Sequence, residues 1–234
     1  MIRSLRLNIK KKIRTIDEID VNINNNFPDI KKFLSGSNHK LKITTIYINI
    51  ENYQILIEKL KEKDQLKFIN LYTESILKIL NYYQINNYHL FGTEIYAFID
   101  HYSVNNFQEG NLLTAAIEIN SFLDNFPFKI NYKIIISTGM DLFSIIEEKR
   151  KKRLITIVNG TIFRAREIFE NTPKTNLIYL NQTYEKNNNR WLQEIVKWPC
   201  SYPKEIENKI NDQKIYELNC VFSDWKMKNL NKKG

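Results

Sequence analysis

The apolar and polar positions of the first half of the chain follow the two periods of regular secondary structure. Leu41–Ile50 is dense in β-branched residues and predicts a first strand. Two helical stretches follow, and in the longer one, Phe68–Tyr83, apolar residues recur at steps of three and four, which predicts a helix with one apolar stripe. Tyr88–Leu90 and Ile95–Ile99 are short apolar runs joined by a glycine-containing turn, so they predict a β-hairpin.

The second half of the chain also predicts a succession of helices and strands. Asn111–Phe126 has one apolar side at helical spacing, and Pro127 stops it because the proline ring prevents a helix from continuing. The run Lys129–Ser137 predicts a buried strand that ends at Thr138-Gly139. The remaining elements predicted are a strand, a helix and two strands, at Arg153–Val158, Thr161–Phe169, Asn176–Leu180 and Lys214–Val221.

This order of elements sets hairpins beside helical crossovers. It is typical of an α+β domain, here a ferredoxin-like, mostly antiparallel sheet with flanking helices that lie mainly on one face. Residues 1–39 mix charge and asparagine, so we expect an N-terminal extension there, one domain at 40–221 and a C-terminal tail at 222–234. A length of 234 residues favours a single substantial core.

The net charge of +9 changes this picture only slightly. The basic residues are dispersed, apart from local runs at Lys10–Lys12 and Lys149–Arg153. A basic surface attracts phosphates, nucleic acid or anionic lipid. A solvated lysine-rich surface is the commoner use of such runs, so we expect no nucleic-acid partner.

Cys200 and Cys220 lie far apart and lack CxxC spacing. This pattern excludes a cysteine-based zinc site and predicts two buried, reduced thiols rather than a disulfide framework. No stretch approaches the roughly 18 consecutive apolar residues of a membrane span, and the basic N-terminus lacks the apolar region of a signal peptide. We therefore expect a cytoplasmic location and no membrane contact. The glycine motifs of P-loop and Rossmann proteins do not occur.

Six collinear segments carry a resemblance to a known family. They are Tyr47–Tyr53, Gly92–Phe98, Lys133–Gly139, Thr161–Arg166, Leu177–Tyr184 and Ile215–Leu218. The first four resemble F-x-D-I-x-x-F, the G-D hairpin, R-I-G-I-H-x-G and V-N-x-A-x-R, which are signatures of the catalytic domain of class III adenylate and guanylate cyclases. The last two resemble the closing strands of that domain. The resemblance runs from about Leu41 to Leu218 and implies a class III nucleotidyl cyclase-like fold, so that 40–221 would be a cyclase homology domain.

The resemblance also implies a degenerate metal site. In active members two aspartates hold the divalent cations, Mg²⁺ or Mn²⁺, that neutralise the triphosphate and activate the ribose hydroxyl. Asn49 and Thr93 stand at those two positions and bring no negative charge. Glu51 and Glu94 are close in sequence and could form a shifted metal site, but two solvent-exposed loop glutamates are the commoner case. We therefore expect no resident cofactor, and Mg²⁺ or Mn²⁺ only if the chain is active.

The positions for nucleotide binding have changed as well. The resemblance implies that His89 replaces the lysine that reads a purine, and that its partner aspartate falls at Ile155. Of the pair that stabilises the transition state, the asparagine becomes Ile162 while the arginine is kept as Arg166. We expect Arg166 to lie at the start of a helix, where it would meet a phosphate.

Three functions remain open on the sequence. The favoured one is a pseudo-cyclase, a dimerising and nucleotide-binding or partner-completing module, either as a homodimer or with a metal-bearing cyclase chain. The alternative is an active, divergent cyclase with a shifted metal site; its 3′,5′-cyclic product could be a pyrimidine nucleotide, as in bacterial anti-phage signalling, because the purine-reading residues are replaced. The third, a nucleic-acid-binding protein, rests on charge alone.

Overall fold

The computed structural model describes residues 21–23, 38–100, 107–148, 151–157, 160–195, 200–207, 210 and 212–221. The strands within these residues are β1 (Val21–Ile23), β2 (Asn38–Ile50), β3 (Asn87–Phe91), β4 (Glu94–Asp100), β5 (Tyr132–Glu148), β6 (Lys151–Ile157), β7 (Leu177–Asn181), β8 (Lys204–Glu205) and β9 (Ile215–Leu218). The helices are α1 (Tyr53–Ile57), α2 (Glu62–Tyr82), α3 (Phe107–Asp124), α4 (Thr161–Asn171), α5 (Gln182–Asn187) and α6 (Asn189–Ile195).

All the described strands belong to one mixed sheet. Its order is β3-β4-β2-β5-β7-β9-β8, with β1 also paired to β2 and β6 also paired to β5. The β1–β2 and β5–β7 pairs are parallel, and the remaining described pairs are antiparallel. The predicted α+β architecture with a mostly antiparallel sheet is therefore confirmed.

One face of the sheet carries the larger core. Alternation along β2 sends Ile46, Ile48 and Ile50 to this face, where α2 and α3 cover them. The stripe of α2 that the sequence predicted is the one that the helix buries: Phe68, Tyr72, Ile76 and Leu80. Since these side chains recur once per turn, a single face of α2 packs on the sheet beside α3.

Helix α4 packs on the opposite face of the sheet. It buries Ala165 and Ile168 against Tyr47, Ile135 and Tyr179, which come from three adjacent strands. Side chains two residues apart on a strand share a face, so Tyr47 and Asn49 of β2 both lie on the α4 side, where their side chains form a hydrogen bond. This smaller core positions the candidate site.

Strand β5 does not end at Thr138-Gly139, so that prediction was wrong. The strand continues to Glu148 because its second half pairs with β2 and with β6. Gly139 instead marks a close approach of the α4 N-terminus: a Cβ at this position would lie 2.9 Å from Cγ2 of Thr161. The glycine is required by packing and not by a turn.

Cys200 and Cys220 form a disulfide, so the prediction of two reduced thiols was wrong. The segment after Cys200 runs into β8, which lies antiparallel to β9 with Lys204 opposite Glu217. This return of the chain brings the two cysteine Cα atoms to 4.6 Å. Such a juxtaposition depends on the pairing of a two-residue strand, which sequence spacing does not reveal.

Parts of the predicted domain scheme lie outside the described residues. The tail at 222–234 is wholly outside them, and of the extension at 1–39 only β1 and the first two residues of β2 are described. The boundaries therefore stay predictions. Within the described residues, no helix combines the length and apolar character needed to cross a membrane.

Candidate functional site

Asn49 and Thr93 meet where the end of β2 approaches the β3–β4 turn. Thr93 Oγ1 donates a hydrogen bond of 2.9 Å to Asn49 Oδ1, which also accepts from the backbone N–H of Ile50 at 2.8 Å. Asn49 Nδ2 donates to the hydroxyl of Tyr47 at 3.0 Å. The carbonyl of Thr93 accepts from the hydroxyl of Tyr72 at 2.9 Å. The polar atoms of the pair therefore have partners within the chain.

The Asn49–Thr93 contact does not fit a divalent cation. Mg²⁺ and Ca²⁺ take several oxygen ligands that usually include carboxylates, and both of these side chains are neutral. The Asn49 Oδ1 that would face a cation already accepts two hydrogen bonds. Across the part of the chain that the structure describes, no group of three or more His, Cys, Asp or Glu residues could hold a metal.

Glu51, just beyond β2, is paired with a buried lysine. Its Oε1 lies 2.5 Å from Nζ of Lys133, whose side chain is only 3% exposed. The same Nζ donates to the carbonyls of Phe169 at 2.7 Å and Thr172 at 2.6 Å. These three contacts match the three protons of an ammonium group. Glu51 therefore neutralises a buried charge at the C-terminal end of α4.

Glu94, the first residue of β4, points to the α4 side of the sheet. Its Oε2 accepts a hydrogen bond of 2.6 Å from the hydroxyl of Tyr96, and its Oε1 lies 3.6 Å from Nη2 of Arg166. Arg166 Nε also donates to Glu170 at 3.3 Å. The negative charge of Glu94 is the main cause that raises the pKa of the Arg166 guanidinium. The structure thus joins two candidate residues, Glu94 and Arg166, in one ion pair.

Two stacked tyrosines, Tyr47 and Tyr96, connect Asn49 of the Asn49–Thr93 contact with Glu94 of the Glu94–Arg166 ion pair. The ring centroids of Tyr47 and Tyr96 lie 4.7 Å apart at an interplanar angle of 23°, and the ring of Phe169 packs edge-on against Tyr47 with the centroids 5.5 Å apart. Burial, and secondly the charge of Glu94, raise the pKa of Tyr47 to about 12. Burial, followed by the hydrogen bond to Glu94, also raises the pKa of Tyr96. Both phenols therefore stay protonated at neutral pH, and each can donate and accept hydrogen bonds.

The N-terminus of α4 holds a carboxylate of the chain itself. The backbone N–H of Thr161 donates to Asp141 Oδ1, and the Thr161 hydroxyl donates to Oδ2 at 3.0 Å. Gly160 leaves the space for this carboxylate, since a Cβ there would overlap it. Burial raises the pKa of Asp141, while the bonds from Thr161 lower it. The helix start, a favourable place for an anion, is thus already occupied, and Arg166 lies in the second turn instead.

His89 and Ile155 lie on strands that are not neighbours in the sheet. His89 is exposed on β3, and its ring stacks on Phe98 at 6.3 Å. Ile155 lies on β6, opposite Ser144 of β5 in the register, and its side chain is outside the described part of the chain. Within one chain, β4, β2 and β5 separate these two candidates.

The basic run Lys149–Arg153 falls at the β5–β6 hairpin. Residues 149 and 150 are not described, and β6 begins at Lys151. In the register of the hairpin, Lys151 stands opposite Glu148 and Lys152 opposite Glu147. Acidic positions therefore oppose part of the basic run across the two strands.

Sequence reasoning missed Lys133, Tyr96 and Asp141 as members of this site. Alternation offered a signal for two of them: Tyr96 follows Glu94 by two positions on β4, and Lys133 is a charged residue inside an apolar strand. Asp141 carried no such signal, because the strand was expected to have ended before it.

Comparison with solved structures identifies the fold. The chain is similar to the guanylyl cyclase Cya2, with a TM-score of 0.63 and 13% identity over 82% of this chain and 98% of that one. It is also similar to the dimeric guanylyl cyclase domain of the RhoGC fusion protein from the aquatic fungus Blastocladiella emersonii, with a TM-score of 0.62 and 11% identity over 78% and 97%. The adenylyl cyclase CyaB from P. aeruginosa gives 0.61 and 12% over 80% and 98%.

These structural matches confirm the fold that the resemblance implied. A scan of protein-family models and a search of curated proteins gave no match. The chain therefore has the fold of the class III adenylyl and guanylyl cyclase domains. A sequence identity of 11–13% shows a shared fold and does not show a shared activity.

Proposed function

We propose that this chain, which has the nucleotidyl cyclase fold, is a catalytically degenerate cyclase homology protein. In this proposal residues 40–221 form a dimerising module that binds a nucleotide, or completes the site of a partner chain, without turnover. The observation that carries it is the 2.9 Å hydrogen bond between Thr93 and Asn49. These residues stand where the resemblance expects two metal-binding aspartates, and they bind one another instead.

The surrounding charges support the same conclusion. Glu51 and Glu94 are the acidic residues next to the Asn49–Thr93 contact in sequence, and each has a cationic partner, at 2.5 Å and 3.6 Å. Recruiting Glu51 to a metal would leave the buried ammonium of Lys133 without its counter-ion. An unpaired buried charge is strongly destabilising, so a shifted metal site has a high cost at this position.

Arg166 is the residue that we propose to meet a nucleotide or a partner chain. Its side chain is 52% exposed, and α4 presents it beside the Asn49–Thr93 contact through the ion pair with Glu94. Arginine binds phosphate through charge-assisted, often bidentate hydrogen bonds. The partner would be a second copy of this chain or a metal-bearing cyclase chain, in which case Arg166 would serve the partner's site. The similar RhoGC domain is found both as a non-canonical dimer and as a monomer, so pairing of this chain rests on the resemblance and is tested by its oligomeric state.

The alternative is an active, divergent cyclase whose metals bind at Glu51 and Glu94. The replaced base-reading positions, His89 and Ile155, are compatible with a changed base, a pyrimidine included. This alternative requires at least one of the two ion pairs to open when metal binds. A role in anti-phage signalling would follow only from such an activity.

A turnover assay separates the two proposals. The purified chain is incubated with ATP, GTP, CTP and UTP in the presence of Mn²⁺, cyclic products are measured by mass spectrometry, and light scattering gives the oligomeric state. An active cyclase such as CyaB serves as the positive control. We expect a folded dimer that makes no cyclic nucleotide. A 3′,5′-cyclic product that disappears in Glu94→Gln would support the shifted metal site and overturn the degenerate assignment.

A further inference from the structure

The Glu94–Arg166 ion pair is asymmetric. Glu94 is held firmly, since its side chain is only 17% exposed and its Oε2 accepts a short hydrogen bond of 2.6 Å from Tyr96. Arg166 is 52% exposed, and its contacts are longer, 3.6 Å to Glu94 and 3.3 Å to Glu170. Charge-assisted hydrogen bonds between nitrogen and oxygen are usually about 2.7–2.9 Å. If the pair separates, Arg166 moves and Glu94 stays.

Glu94 also places a negative charge where an anion would approach the guanidinium. A phosphate group that binds Arg166 must either displace the carboxylate or lie beside it and be repelled by it. The carboxylate of Glu94, 3.6 Å from the guanidinium, thus competes with a ligand phosphate for the charge of Arg166.

We infer that Glu94 is an internal competitor of the polyphosphate anion for Arg166 and thereby sets the affinity of the chain for nucleoside triphosphates. This inference rests on the proposed function, in which Arg166 is the phosphate-binding residue. The inference adds that the ion pair with Glu94 limits the binding of phosphate by Arg166. In the isolated chain Arg166 is paired with Glu94, and an anion that binds Arg166 must either draw the arginine away from Glu94 or bind against the repulsion of that carboxylate.

Removing the competing charge has a measurable consequence. Glu94→Gln keeps the shape of the side chain and an acceptor for the Tyr96 hydroxyl, but it removes the negative charge. Partly exposed ion pairs are worth up to about 1 kcal/mol, which corresponds to a factor of ~5 in a binding constant. We therefore expect Glu94→Gln to bind tripolyphosphate and ATP about five-fold more tightly than the wild type.

The experiment is a calorimetric titration of the full chain with tripolyphosphate and with ATP, in EDTA and at fixed ionic strength. The variants are Glu94→Gln, Arg166→Gln and the double variant, with Glu170→Gln as a matched control. Glu170 also pairs with Arg166 but is 60% exposed, so its removal should change the affinity less than two-fold. Circular dichroism and thermal unfolding verify that each variant is folded.

The expected pattern is tighter binding by Glu94→Gln, weaker binding by Arg166→Gln, and no gain when Glu94→Gln is added to Arg166→Gln. If Arg166→Gln weakens binding but Glu94→Gln binds like the wild type, the competition is refuted while nucleotide binding through Arg166 stands. An equal gain in the Arg166→Gln background would show a general charge effect and overturn the inference. Absence of binding by every variant would overturn both the inference and the nucleotide-binding part of the proposed function.

Discussion

Thr93 Oγ1 donates to Asn49 Oδ1 across the junction between the β3–β4 turn and the end of β2. The contact satisfies the two side chains mutually, and the remaining polar atoms of Asn49 are used by Ile50 and Tyr47. A pair of aspartates could not adopt this arrangement, because two carboxylates at hydrogen-bonding distance repel one another unless a cation or a shared proton lies between them. The neutral pair is therefore self-consistent: each residue supplies the other's partner.

Placing an aspartate at both positions should replace this attractive contact with repulsion. We expect Asn49→Asp/Thr93→Asp to unfold more easily in EDTA, by about 1–3 kcal/mol, because like charges meet and a partly buried hydrogen bond is lost. Mn²⁺ should then recover stability, since a ligand that binds only the folded state stabilises it. Thermal unfolding with and without Mn²⁺ measures both effects, and the wild type is the control. A double variant that Mn²⁺ does not stabilise would show that this junction lacks the geometry of a metal site.

Lys133 should be among the more sensitive charged residues of the chain. Lys133→Met removes the partner of Glu51 and the donor to two carbonyls at the end of α4, so we expect a loss of about 3 kcal/mol in the free energy of unfolding. The matched control is Lys78→Met, whose pair with Glu74 is exposed on both sides and is worth less than about 0.5 kcal/mol. Equal effects of the two substitutions in denaturant unfolding would contradict the buried role of Lys133.

Asp141 should make the protein relatively more stable in acid. Burial raises its pKa above the ordinary 3.8, so the folded state binds the proton more tightly than the unfolded state. Its contribution to stability is therefore fully present below pH 3.8 and is lost as the pH rises through the raised pKa. Asp141→Asn removes this titration. We expect the difference in unfolding free energy, wild type minus variant, to fall between pH 4 and neutrality; a difference that rises would reverse the sign of the assigned pKa shift.

The disulfide between Cys200 and Cys220 should stabilise the β8–β9 side of the sheet. Reduction, or Cys200→Ser/Cys220→Ser, should lower the free energy of unfolding by about 2–4 kcal/mol. Mass spectrometry with and without reductant reports the bond, and unfolding of the two forms reports its effect. The double variant should not respond to reductant. A native mass that corresponds to two free thiols would contradict the bond.

Periodicity predicted much of this fold, and particular contacts explain where it failed. The stripe of α2 and the β3–β4 hairpin could be predicted because burial on one face leaves a regular pattern in the sequence. Gly139 could not be interpreted correctly, because its cause is the nearby Thr161, a partner that the strand pattern does not contain. The short elements β8, α5 and α6 carry too few residues to establish a period.

Part of the candidate site could be predicted from the sequence, because some of its residues lie in the motif segments. The motif positions led to Asn49, Thr93, Glu94 and Arg166, which the structure brings together in two contacts. The ammonium of Lys133 and the carboxylate of Asp141 bind the two ends of α4 from strand β5, and these contacts depend on how the helix packs on the sheet. The roles of the motif residues in binding remain predictions.

The most direct test of the proposed degenerate site is a titration of the wild-type chain with Mn²⁺, followed by electron paramagnetic resonance of the free ion. Glu94→Gln serves as the variant that removes the carboxylate next to Thr93 in the sequence. We expect the wild type to leave the free Mn²⁺ signal unchanged at stoichiometric ratios, because Asn49 and Thr93 bring no charge and the neighbouring glutamates are paired. Stoichiometric binding that is lost in Glu94→Gln would contradict this and establish a metal site on the shifted carboxylates.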